Sequence, residues 1–152
     1  MNNLKPITIL MADDDPDDRQ LTKEAFAEAK LANDLRFVED GVELLDYLNR
    51  RGKYVDPESS PRPGIILLDL NMPRKDGREA LTEIKKDPRF KTLRIVILTT
   101  SNAEEDIAKS YSQSAASFIT KPVTFDALVE VIRTFGKYWL EIVELPTSDE
   151  ST

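Results

Sequence analysis

IILLDLNMPRKDG, residues 65–77, opens with four aliphatic side chains in a row and turns polar at Asp69. A short run of that kind reads as a strand buried on both faces, because a half-exposed strand would alternate apolar and polar residues. Similar runs stand at Ile7–Met11, Leu35–Val38, Ile95–Leu98 and Ser117–Thr120. The segments between them carry apolar residues at three- and four-residue spacing, as in Leu21, Ala25, Phe26 and Ala29, in Ala80, Leu81 and Ile84, and in Leu128, Val129, Ile132 and Phe135. That spacing is the stripe of an amphipathic helix. Five strand–helix units predict an α/β fold, a parallel sheet with helices on both faces. Pro16 is placed to open the first helix, Pro88 to end the third and Thr124 to cap the fifth. Residues 51–64, RGKYVDPESSPRPG, have too many Pro, Ser and charged residues to pack a core and are expected on the surface. The predicted domain spans residues 5–145, and residues 146–152 form an acidic tail.

Ligands of an open parallel sheet bind beyond the carboxyl ends of its strands. The first run leads into Asp13, Asp14 and Asp15, the third ends at Asp69, the fourth at Thr99, Thr100 and Ser101, and the fifth at Lys121-Pro122. Carboxylates, a hydroxyl and an ammonium therefore converge on one edge. Two unit charges about 4 Å apart repel by roughly 4 kcal/mol at an effective dielectric near 20, so converging carboxylates require a counter-charge. A hard divalent cation such as Mg2+ suits a site of few carboxylate and carbonyl oxygens, and Lys121 adds a further positive charge. Phosphoryl transfer to Asp69 is the reaction such a site favours, with Lys121 and the Thr99 hydroxyl stabilising charge on the transferring oxygens. Taken singly, each feature has a plainer reading. DDDPDD serves equally as a helix N-terminus, Asp69 as a turn residue, Thr99-Thr100-Ser101 as a cap and Lys121 as a solvated lysine.

Composition narrows the chemistry further. The chain has 152 residues, 40% of them hydrophobic, enough for one core without staples. It contains no Cys and no His, which excludes disulfides, Cys/His zinc sites, thiol nucleophiles and imidazole bases. A formal net charge of -7 disfavours nucleic acid and anionic membranes as partners. The N-terminus MNNLKPITIL is unlike a secretory leader, and no apolar run approaches the roughly 18 residues of a membrane span. A cytoplasmic location is expected.

ILMADDD at residues 9–15, IILLDLNMPRKDG at 65–77, IVILTTS at 95–101 and FITKP at 118–122 together resemble the receiver domains of bacterial two-component response regulators, over residues 7 to 137. The resemblance implies a flavodoxin-like, doubly wound sheet of order 2-1-3-4-5 with five helices. It also implies that Asp69 is the phosphoacceptor and that Mg2+ is held by Asp13, Asp14, Asp69 and the backbone carbonyl of Asn71. Lys121 and Thr99 then assist, Thr99 and Phe118 form a switch, and Asn71 and Ser101 tune dephosphorylation. Phe118 stands where the family often has Tyr, Ser114–Ser117 lacks a usual glycine, and Met11-Ala12 replaces a branched pair. The peptide before Pro122 is usually cis in this family.

The phosphodonor of the family is a phosphohistidine, and a chain without His must take the phosphoryl group from another molecule: a sensor histidine kinase, a histidine phosphotransferase or a small phosphodonor. The extended loop, DGREALTEIK and FGKYWLEIVELP are similar to stand-alone regulators of bacterial phytochromes, which makes a phytochrome-type kinase the suggested donor. No output domain is expected, so the signal would pass by phosphorylation-dependent docking to another protein. Trp139, Ile142 and Val143 either support a homodimer through the helix 4–strand 5–helix 5 face and the tail, or cover the edge of the domain's own core. The chain is expected to be a phosphoacceptor rather than an enzyme. An aspartate-nucleophile phosphatase would want a second Asp where Asn71 stands, a flavin module would want a phosphate loop in place of Asp13–Asp15, and a relay intermediate remains an alternative to a terminal regulator.

Overall fold

A computed structural model describes residues 7–31, 33–69, 72, 74–75, 77–90, 93–99, 117–120, 122 and 124–134, with Thr99 and residues 117–120 described at the backbone only. Strand β1 (Thr8–Ala12) leads into helix α1 (Pro16–Glu28), β2 (Asp34–Val38) into α2 (Gly41–Asn49), and β3 (Ile65–Asp69) into α3 (Gly77–Lys86); β4 (Arg94–Thr99) and β5 (Ser117–Thr120) follow. Residues 125–134 form the C-terminal helix. All five strands pair in parallel in the order β2-β1-β3-β4-β5. The predicted topology and all five strands are therefore observed, with boundaries shifted by a residue. The expected fourth helix, the peptide before Pro122, residues 114–116, and Phe135, Trp139, Ile142 and Val143 lie outside the described residues.

Alternation of side chains along each strand divides the core into two layers. Ile66 and Leu68 of β3 join Leu10, Ala12, Ile95 and Ile97 under α2 and α3, where Leu44, Leu48, Leu81, Ile84 and Phe90 complete the layer. Ile65 and Leu67 point the other way, with Ile9, Met11 and Val96, against Ala25 and Phe26 of α1 and Val129 and Ile132 of the C-terminal helix. This two-sided burial is why the strand runs are continuously apolar. Met11 and Ala12 are both buried, so their departure from the branched pair is a core variation. Leu21, expected on the buried stripe of α1, is 42% exposed.

The caps form as the sequence implied. Asp15 accepts from the Asp17 amide at 2.9 Å with Pro16 opening α1, and Thr124 accepts from the Ala127 amide at 3.1 Å. α3 ends at Lys86 and Pro88 begins a single 3-10 turn. The 51–64 loop departs from expectation. It lies on the surface, but Tyr54 packs against the α2–α3 layer, Ser60 is buried, and Tyr47 of α2 donates to the Pro61 carbonyl at 2.7 Å. Two tyrosines 5.0 Å apart between ring centroids give this polar segment its anchor.

Candidate functional site

Strand register builds the site. Ala12 pairs with Leu68, so the next residues, Asp13 and Asp69, leave the sheet side by side on neighbouring strands about 4.8 Å apart. Asp13 is fully buried and Asp69 is 5% exposed. One carboxylate oxygen from each of Asp13, Asp14 and Asp69 lies within 4.8 Å of the other two. β4 ends beside β3, with Leu98 opposite Asp69 and Thr99 one residue further, and Thr99 pairs in turn with Thr120, the residue before Lys121. Thr99 and Phe118 are described at the backbone only, and Asn71, Ser101 and Lys121 lie outside the described residues.

The aspartate run does two jobs with different residues. Asp15 caps α1, and Asp17 and Asp18 lie in its first turn, where the helix dipole favours negative charge. Asp13 and Asp14 face Asp69 instead. The turn between these duties is fixed locally: the Asp13 carboxylate accepts from the Asp15 amide at 2.9 Å, the Asp13 amide donates to the Val38 carbonyl at 3.1 Å, and Arg19 donates to the Asp13 carbonyl at 2.8 Å. The plain reading of DDDPDD thus holds for Asp15, Asp17 and Asp18, while Asp13 and Asp14 lie beside Asp69.

Three oxygen donors that close, in a chain with no thiol or imidazole, fit a hard divalent cation and not a soft metal. Asp13, Asp14 and Asp69 would hold it. In their charged forms the three repel, so an ion there offsets a cost built into the fold.

A second constellation was not foreseen. Asp40, at the N-terminus of α2, accepts from Arg74 Nε at 2.8 Å and from its terminal nitrogen at 3.1 Å, and also from the Glu43 amide at 2.8 Å. Burial pushes the Asp40 carboxyl up, but the bonds from Arg74 and the Glu43 amide together outweigh it, and the net direction is down. Asp40 and Glu43, three residues apart ahead of an apolar run, carry the mark of a capping pair. Nothing in the sequence pairs Asp40 with Arg74, 34 residues away.

These features are those of a response regulator receiver domain, and the chain belongs to that family, whose model matches residues 9–133. It is 38% identical to response regulator Rcp1 of Synechocystis sp. over 143 residues, 94% of this chain and 95% of Rcp1. Among solved structures it is similar to a phosphorylated cyanobacterial phytochrome response regulator, RcpA, with 38% identity, a TM-score of 0.79, and coverage of 90% of this chain and 95% of that one. The Mn2+-bound form of Rcp1 is similar at 38% identity and a TM-score of 0.76, covering 90% of this chain and 96% of that one. The chain is thus a single receiver domain homologous to phytochrome response regulators, and the phosphatase alternative is not favoured. Receiver domains bind a divalent metal at an acidic pocket and interact with a histidine kinase or phosphotransferase. Among the described residues no helix is long and apolar enough to cross a membrane.

Proposed function

We propose that Asp69 accepts a phosphoryl group from the phosphohistidine of a separate kinase or phosphotransferase, a phytochrome-type kinase in the first instance. The observation that carries this reading is the approach of Asp13, Asp14 and Asp69 to within 4.8 Å at the ends of β1 and β3. An Asp69 carboxylate oxygen attacks phosphorus, the nitrogen–phosphorus bond breaks, and the imidazole leaves with the electron pair. Asp13, Asp14, Asp69 and the Asn71 carbonyl would hold Mg2+, which would supply neutralising charge for the carboxylates and the transferring oxygens. The Lys121 ammonium and the Thr99 hydroxyl donate to the phosphoryl oxygens, and Phe118 follows the Thr99 movement to reshape the β4–β5 face. Asn71 and Ser101 flank the water that later hydrolyses the acyl phosphate. The reshaped face signals by docking to a protein partner in the cytoplasm. Sequence similarity to Rcp1 and RcpA along nearly the whole chain supports the phytochrome-type donor.

Incubation with acetyl phosphate and Mg2+, read by intact mass, is expected to add one phosphoryl group to the wild type and none to Asp69→Ala. Equal labelling of both proteins would overturn the assignment.

A further inference from the structure

The chain leaving Asp69 must return to Gly77 at the head of α3, and the start of α2 anchors it on the way. Met72 is sunk in the α2–α3 core layer. Arg74 forks onto both oxygens of Asp40, at 2.8 and 3.1 Å. The next carbonyl, that of Lys75, accepts from the Gly41 amide at 2.8 Å, and a Cβ on Gly41 would stand 2.3 Å from that oxygen. Two consecutive loop residues are thus stitched to two consecutive residues at the start of α2, its N-cap Asp40 and its first residue Gly41.

The stitching holds a backbone shape the loop would not choose alone. Arg74 has φ 64, the left-handed region that residues with side chains seldom adopt. Its guanidinium reaches Asp40 from there. Asp40 in turn is buried and fixed by the Glu43 amide, and Glu43 accepts from the Glu39 amide at 2.7 Å. The anchor is therefore rigid on the α2 side, and the loop is the member being held. Arg74 itself is largely exposed, so the fork is not there to fill the core.

We infer that Asp40 is a positioning residue for the metal-dependent chemistry at Asp69, acting through Arg74 to hold the chain that leaves Asp69 in the course a bound divalent cation requires. This rests on the proposed function, in which that stretch of chain supplies a carbonyl ligand. Preorganisation is the physical reason. A loop already held in place loses little freedom when the ion binds, whereas a released loop must be ordered at the expense of affinity. Groups that orient metal ligands from outside typically change affinity by about 10–100-fold when removed.

The test uses Mn2+ as the probe, titrated calorimetrically into the wild type, Asp40→Asn, Arg74→Gly and the double variant. Asparagine keeps a cap acceptor but loses the charged fork; glycine suits φ 64 and loses the fork without strain. Each single variant is expected to weaken Mn2+ binding about tenfold, the double no more than either single, and Arg74→Gly to melt within a few degrees of wild type. Mn2+ affinity within twofold of wild type in folded Arg74→Gly and Asp40→Asn, or losses that multiply in the double variant, would overturn the inference. Phosphorylation of the same samples by acetyl phosphate separates the two claims. An unlabelled wild type defeats the proposed function, whereas a labelled wild type with unchanged Mn2+ affinity in the variants defeats only the positioning role.

Discussion

Replacing Gly41 by alanine tests the contact between α2 and the loop after β3. The added Cβ would lie 2.3 Å from the Lys75 carbonyl oxygen, 2.8 Å from the Lys75 Cβ and 2.9 Å from its carbonyl carbon. Two of those atoms belong to the backbone, so no rotamer change relieves the clash, and the loop or α2 must move by about 1 Å to restore van der Waals distance. Overpacking of this kind costs about 1–3 kcal/mol. The hydrogen bond from the Gly41 amide to the same carbonyl is stretched as well, a further loss of about 0.5–1.5 kcal/mol. Alanine's better helix propensity returns up to about 1 kcal/mol. The net is a destabilisation of about 2 kcal/mol, equivalent to about 4–8 °C in Tm for a chain of this size. Urea unfolding followed by circular dichroism measures it, with the denaturant slope expected to stay constant. Gly64→Ala is the internal control, since the atoms nearest its Cβ would all belong to the Ile7 side chain, at 3.0–3.3 Å, and the expected cost is about 1 kcal/mol or less. A Gly41→Ala protein within about 0.5 kcal/mol of wild type would refute the reasoning, because the backbone contact could not then be tight.

Asp69→Asn removes one of three converging charges, each pair of which, at 4.8 Å or less, repels by at least about 3–4 kcal/mol at a dielectric near 20. In metal-free buffer the variant is therefore expected to melt higher than wild type, and added divalent cation to stabilise it less; scanning calorimetry with and without EDTA reads both. Tyr47→Phe deletes the bond to the Pro61 carbonyl, about 1 kcal/mol, and limited proteolysis should cut residues 51–64 faster in the variant than in wild type. Asp40 has a carboxyl depressed below its ordinary value of about 4. Its stabilising contribution is thus complete above that pH and lost as pH falls through the folded value. The difference in unfolding free energy between wild type and Asp40→Asn should shrink from pH 6 to pH 3, and a constant difference would contradict the ion-pair assignment.

Local pattern alone carried the strand–helix alternation, the two-sided burial of the sheet, the opening of α1 at Pro16 and the cap at Thr124, because apolar runs, helical spacing and capping chemistry are properties of neighbours in sequence. It also marked Asp13, Asp14 and Asp69, since strand ends of a parallel sheet share an edge and polar residues there stand out against aliphatic runs. Leu21 was misplaced because a helical stripe is wider than the surface its neighbours cover. The composition of residues 51–64 points to a surface loop and does not show that Tyr47 and Tyr54 meet. Register decided that Asp13 and Asp69 leave the sheet as neighbours, and hence that the three carboxylates close to 4.8 Å. The bond between Asp40 and Arg74, and the need for glycine at position 41, belong wholly to the tertiary structure. Both depend on two loops brought together by the packing of α2 against α3, and a contact across 34 residues leaves no periodicity in the chain that makes it.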